Sequence, residues 1–142
     1  MSAEANKNLI RNYVDTWNRG DLQSLCTYWS PEMRHHTRAQ AHGYAKTKEI
    51  VGSFMQAFPD LQFQIQDIVA EDDKVVTRMT ARATNSGSYL GLPPTGREIN
   101  CTVMGIARVD NGKIVEHWGV TDELAMMSQL GVLPEEYLAA MA

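Results

Sequence analysis

Two short segments of this chain carry side chains that can move protons to and from a bound molecule. One is Glu116-His117-Trp118, followed at a short distance by Asp122, and the other is the pair His35-His36. Carboxylates and imidazoles are common general acids and bases, and a buried indole beside one of them shifts its pKa through desolvation. These residue types therefore indicate acid–base chemistry.

A strand predicted over residues 114–120 separates the candidate groups of the first segment. Asp110-Asn111-Gly112 reads as a tight turn before it, because Asn and Gly tolerate positive φ. Alternation along the strand puts Trp118 and Asp122 on one side and His117 on the other. Asp122 also has the pattern of a helix N-cap, and both interpretations remain open at this point.

The histidines and arginines allow several roles. Neighbours on a strand point to opposite faces, so one of His35 and His36 is expected to face inward and the other outward. The spacing of the histidines and cysteines is not that of a metal site, which predicts no bound metal. Arg78 and Arg82 share a strand face, and there they either bind a carboxylate or enolate oxygen or remain solvated.

The hydrophobic periods predict which elements position these groups. A helical period over residues 7–58 predicts three helices and a short strand at 33–37, and a period of two over 61–120 predicts four long strands. A last helix follows at 123–130. This order predicts an α+β fold, in which the N-terminal helices and a curved, mostly antiparallel sheet enclose a pocket.

Composition restricts the class of protein and of partner. A length of 142 residues fits one domain over 1–142, and a net charge of −4 without a basic stripe argues against nucleic acid and anionic membranes as partners. Cys26 and Cys101 are expected to be small buried residues rather than a disulfide. The N-terminus shows no signal-peptide pattern, and a cytoplasmic location is predicted.

As a set, several segments resemble the SnoaL-like polyketide cyclase family, within the superfamily of nuclear transport factor 2 and ketosteroid isomerase. The resemblance covers nearly the whole chain and rests on Trp17-Asn18-Arg19-Gly20-Asp21, His35-His36, Ala57-Phe58-Pro59-Asp60-Leu61, Gly91-Leu92-Pro93-Pro94-Thr95-Gly96-Arg97, Gly112-Lys113-Ile114-Val115-Glu116-His117-Trp118, Asp122-Glu123-Leu124 and Gln129-Leu130-Gly131.

The resemblance implies a cone-shaped α+β barrel that forms homodimers or homotetramers. It also implies an intramolecular aldol ring closure on an apolar, carbonyl-bearing polycyclic substrate, without metal or organic cofactor. Asp122 matches the family's general acid/base, and His36 and His117 are the other catalytic candidates. The residues expected to bind the substrate are Trp17, Phe54, Arg78, Tyr89, Leu92 and Trp118.

One departure from the family leaves other functions open. The family carries a histidine on the strand before the last hairpin, whereas residues 100–108 of this chain contain none. A small-molecule-binding domain without catalysis, or a divergent hydroxylase or dehydratase, therefore remains an alternative. Apolar residues on both faces of the strands further predict self-association through the outer face of the sheet.

Overall fold

A six-stranded sheet forms one wall of the molecule, and helices cover its inner face. The computed structural model describes residues 2–142. The strands are β1 (Trp29–Thr37), β2 (Gln40–His42), β3 (Gln62–Glu71), β4 (Lys74–Thr84), β5 (Glu98–Asp110) and β6 (Lys113–Thr121). The helices are α1 (Ala3–Asn18), α2 (Leu22–Leu25), α3 (Tyr44–Ala57), α4 (Glu123–Leu130) and α5 (Glu135–Met141), and a 3-10 turn, Cys26–Tyr28, follows α2.

The strand order is β2-β1-β6-β5-β4-β3, and every neighbouring pair is antiparallel except β1 and β6. The parallel pair joins the N-terminal part of the chain to the last long strand. The predicted α+β class with a mostly antiparallel sheet is thus confirmed. The sheet is not a closed barrel, since β2 and β3 are its free edges.

Alternation along β4 and β5 separates an inner face from an outer one. On β4, Val75, Thr77 and Ala81 are buried under the helices, whereas Arg78 and Arg82 point outward and are exposed. On β5, the inner face carries Ile99, Cys101, Gly105 and Ala107. Since α1 contributes Ile10 and Val14 to the same cluster of buried residues, the core lies between the helices and the inner face.

The local signals at the turns behave as the sequence predicts. Asn111 and Gly112 form the β5–β6 turn with φ of 49° and 72°, which is the left-handed region that this tight hairpin requires. Helix α4 begins at its N-cap, Asp122, and ends at Gly131, whose φ is 73°. These residues determine where β6 ends and α4 begins, beside the cavity described below.

The elements before residue 60 differ in part from the prediction. The apolar spacing from Leu22 to Trp29 predicts a second helix that ends at Ser30-Pro31. In the structure β1 already begins at Trp29, whose indole is buried, and a register shift in the β1–β6 pairing follows it. That irregularity accommodates Pro31, which donates no ladder hydrogen bond. The sequence predicts Thr47 as the cap of the third helix, but α3 begins at Tyr44, so Thr47 lies inside it and is not its cap. Strand β2 and helix α5 were not predicted.

No helix within residues 2–142 is long and apolar enough to cross a membrane.

Candidate active site

A cavity of about 690 Å³ lies between the inner face of the sheet and helices α1 and α3. Its walls are largely apolar, with Thr37 and Thr77 among the polar residues, and the apolar residues include Ile10, Val14, Trp29, Met33, Val51 and Val75. Volumes of this size hold a drug-sized ligand of several rings. The cavity is therefore large enough and apolar enough for a polycyclic molecule.

His35 and His117 form the polar centre of the cavity wall. They lie opposite each other in the parallel β1–β6 pairing, and their Nδ1 atoms are 3.1 Å apart and hydrogen-bonded. Both imidazoles are half-buried and line the cavity. An apolar cavity with a few convergent polar groups is the usual form of a small-molecule site, so these rings are the first candidates for contact with a reacting group.

Desolvation keeps both imidazoles neutral. Burial is the main cause that lowers the pKa of His117 to about 3, and the proximity of His35 and His36 contributes to this value. Burial is likewise the main cause that lowers the pKa of His35 to about 4, and the proximity of His42 and His36 contributes to this value. Both rings are uncharged at pH 7, and a neutral imidazole donates from one ring nitrogen while it accepts at the other.

Two glycines leave room for these rings. Gly105 and Gly119 are paired across β5 and β6. A Cβ atom at Gly105 would lie 3.1 Å from Nε2 of His117, and one at Gly119 would lie 3.3 Å from its Cε1. Larger residues at either position would thus press on the imidazole of His117.

An arginine joins three segments at the edge of the cavity. Nε of Arg38 donates to Glu123 at 2.7 Å, and its Nη2 donates to the hydroxyl of Tyr89 at 3.0 Å. Arg38 belongs to the β1–β2 turn, Tyr89 to the loop between β4 and β5, and Glu123 to the first turn of α4. All three line the cavity, and Arg38 is exposed, which places this group at the cavity mouth.

Four of the residues predicted for the site line the cavity. They are His117 and the aromatic residues Trp17, Phe54 and Tyr89. Trp17 packs edge-on against Phe63 at 5.3 Å, and Tyr89 packs edge-on against Phe54 at 5.8 Å. Their expected place in the cavity wall agrees with the structure, while their contact with a substrate stays a prediction.

Asp122 does not line the cavity. It is exposed, and its carboxylate accepts a hydrogen bond from the Ala125 amide at 3.1 Å, as an N-cap does. Asp122 lies outside because successive strand side chains point to opposite faces. Thr121, the last residue of β6, has its side chain on the cavity side, so the next side chain points away. The acids that do line the cavity are Glu49 and Glu123. Of the two interpretations of Asp122, the structure shows the N-cap of α4 at an exposed position outside the cavity wall.

The other predicted residues also lie outside the cavity. His36 and Trp118 stack at 5.2 Å on the outer face, where Nε2 of His36 is 2.7 Å from Glu116 and lowers the pKa of that carboxyl. Arg78 is exposed on the same face and pairs with Asp67 at 2.6 Å. Leu92 lies in the loop after Tyr89 with 41% of its surface exposed. His36 and the expected substrate-binding residues Arg78, Leu92 and Trp118 therefore do not line the cavity, because strand alternation or loop position places them outside it.

The structure identifies His35, rather than His36, as the inward histidine. A signal for this was available, because Met33 is the apolar residue of that segment and shares strand parity with His35. The contact between His35 and His117 could not be predicted from the sequence. Within residues 2–142, no three His, Cys, Asp or Glu side chains are placed to hold a metal ion together.

Comparisons with known proteins agree with this fold. AclR from Streptomyces galilaeus, named as a candidate hydroxylase, is 34% identical, with 94% of this chain and 100% of that chain covered and a TM-score of 0.88. IdmH from Streptomyces antibioticus, named as a candidate polyketide cyclase, is 32% identical, with 89% and 99% covered and a TM-score of 0.77.

A SnoaL-like protein from Jannaschia is 20% identical, with 93% and 95% covered and a TM-score of 0.84, and shares the fold. None of the curated proteins matches the chain. The sequence profile of the SnoaL-like polyketide cyclases matches residues 7–130. The chain belongs to the SnoaL-like polyketide cyclase family.

Proposed function

We propose that this protein is a cyclase-like enzyme that needs no cofactor and acts on an apolar, carbonyl-bearing polycyclic substrate held in the cavity. The reaction is an intramolecular aldol-type ring closure or the proton transfer that precedes it. The observation that carries the proposal is the hydrogen-bonded pair His35 and His117 in the wall of a largely apolar cavity. Family membership supports a small-molecule substrate.

The walls and the polar groups have separate tasks in this reaction. The aromatic side chains Trp17, Phe54 and Tyr89 offer rings against which a flat substrate can stack. When the flexible arm of the bound substrate is folded back, the nucleophilic carbon of the substrate lies near the carbonyl that it attacks. A carbon between two carbonyls is already acidic, so a weak base is sufficient. The neutral N–H of an imidazole can stabilise the enolate oxygen, as preorganised donors do in other enzymes.

A hydroxylase-type reaction is the second candidate, because AclR, named as a candidate hydroxylase, is 34% identical over nearly the full length of this chain. Mass separates the two reactions. The test substrate is a tricyclic aromatic ketone with a β-keto ester arm long enough to close a further ring. Ring closure leaves the mass unchanged or lowers it by one water, whereas hydroxylation adds one oxygen atom. A bound but unchanged ketone would favour the binding-domain alternative.

Substitution of Asp122 tests whether the family-based acid/base role applies here. Asn caps a helix about as well as Asp, so Asp122→Asn is expected to leave stability and turnover close to wild type, while Asp122→Ala costs about 1 kcal/mol of unfolding free energy. Urea unfolding and turnover of the tricyclic ketone measure the two effects. If Asp122→Asn lowers turnover by ~10² with normal stability, Asp122 is the base after all.

Self-association through the outer face of the sheet is part of the proposal. Val120, Met104 and Ile106 lie on this face with 71%, 47% and 36% of their surfaces exposed, beside Trp118. A homodimer or homotetramer would cover them. Light scattering is expected to give a multiple of the chain mass, and Val120→Lys should lower it, whereas Leu124→Lys on α4 should not. A wild-type monomer across micromolar concentrations contradicts this.

The cytoplasmic location stays a prediction.

A further inference from the structure

The hydrogen bond between His35 and His117 links the protonation of the two rings. A neutral imidazole carries one ring proton, so a bond between two Nδ1 atoms requires one ring to donate and the other to accept. The donating ring then has a free lone pair at Nε2, and the accepting ring carries its proton at Nε2. The pair therefore always offers one base and one acid. The two roles are exchanged when the basic Nε2 gains a proton, the shared proton crosses between the Nδ1 atoms and the other Nε2 loses its proton.

We propose that His35 and His117 act as a single proton relay for an enolisable ketone in the cavity. The basic Nε2 takes the α-proton, the shared proton crosses between the Nδ1 atoms, and the other Nε2–H protonates the carbonyl oxygen. The C–H bond breaks, its electron pair forms the C=C bond of the enol, and the carbonyl π pair takes up the proton. This inference rests on the proposed function and specifies its mechanism.

The same pair can complete an aldol reaction and return to its starting state. After enolisation the two rings have exchanged tautomers. When the enol carbon attacks the second carbonyl, the enol O–H returns its proton to the ring that supplied it, and the other ring delivers a proton to the new alkoxide. The shared proton moves back, so atoms and charges balance and no further reactant is needed.

Burial favours a relay over a single general base. An imidazolium ion beside an enolate would have to form in a cavity that disfavours charge, as the lowered pKa values of both rings indicate. In the relay no ring is charged after the transfer. The carboxylates that line the cavity are Glu49 and Glu123, and the first is paired with Lys46 and the second with Arg38. Neither acid is therefore a free base for the reaction.

Exchange of the α-protons of 2-tetralone in D2O at pH 7, followed by proton NMR, tests the relay. His35→Gln and His117→Gln each keep a polar side chain that cannot pass a proton between its two ends. Each variant is expected to lose at least ~10² in the catalysed exchange rate, the usual contribution of a positioned acid/base group. The double variant is expected to lose no more than either single one, because the two residues work as a unit.

Losses that multiply in the double variant, or a normal rate in either single variant, would overturn the relay. So would wild-type protein that binds 2-tetralone without exchanging its protons. Binding is followed separately by quenching of tryptophan fluorescence with 2-naphthol, since Trp17 and Trp29 line the cavity. If neither compound binds, the proposed function itself fails. If both bind and only the relay pattern is missing, the proposed function stands and the inference does not.

Two further measurements keep the test decisive if a glutamine variant does not fold. Gly105→Ala retains both imidazoles but places a methyl group 3.1 Å from Nε2 of His117, and it is expected to slow exchange at least ~10-fold. Nitrogen-15 NMR of the wild type at pH 7 should show two neutral rings that share one Nδ1 proton. An imidazolium signal from either ring, or unchanged exchange in Gly105→Ala, contradicts the relay.

Discussion

The free energy of unfolding should fall by about 3 kcal/mol between pH 6.5 and pH 5 because of His35 and His117 alone. Both imidazoles ionise near pH 6.5 when unfolded, but burial lowers their pKa in the folded protein to about 4 and about 3. In this window the unfolded state binds more protons than the folded state. The contribution is therefore fully present above pH 6.5 and disappears as the pH falls toward 3.

Urea unfolding at pH 5, 6.5 and 8 measures this slope, and the double variant of His35→Gln and His117→Gln is the matched control. The variant retains His36 and His42, and also the ion pair of His36 with Glu116. The pKa of Glu116 is lowered, so the stability that this carboxylate contributes is lost only at more acidic pH. The difference between the two proteins thus isolates the cavity histidines. An equal slope in both proteins would mean that these rings are solvated in the folded state.

Phe58→Ala should cost about 3–5 kcal/mol of unfolding free energy. Phe58 is 1% exposed, and its ring packs against Phe54 at 4.8 Å and Tyr89 at 5.3 Å. Removing it leaves a void behind two residues of the cavity wall. Affinity for 2-naphthol should fall along with stability, because Tyr89 loses the surface that holds its loop against the cavity.

Phe58→Leu is the control for this effect, since it retains most of the apolar volume and should cost less than half as much. Urea unfolding gives the stability of each variant, and quenching of tryptophan fluorescence by 2-naphthol gives its affinity. Equal losses of stability for Ala and Leu would show that the cost comes from the lost ring contacts with Phe54 and Tyr89, and would contradict the explanation by lost volume.

Local sequence patterns determined most of the elements and the relative faces within each strand. Alternation alone separates His117 from Trp118 and Asp122, and it separates His35 from His36, because successive strand side chains point to opposite faces. The Asn111-Gly112 turn and the Asp122 cap follow from backbone preferences of single residues. Such features depend on neighbours in the chain, so they can be predicted before any tertiary contact is known.

Which face became the cavity wall was decided by tertiary structure. The pattern of β6 is compatible with either face inward, and the packing of α1 and α3 against the side that carries His117 removes Asp122, Trp118 and Arg78 from the cavity. The contact between His35 and His117 joins residues 82 positions apart through the parallel β1–β6 pairing. No local period encodes which distant strands become neighbours, because that choice depends on the burial of the whole inner face.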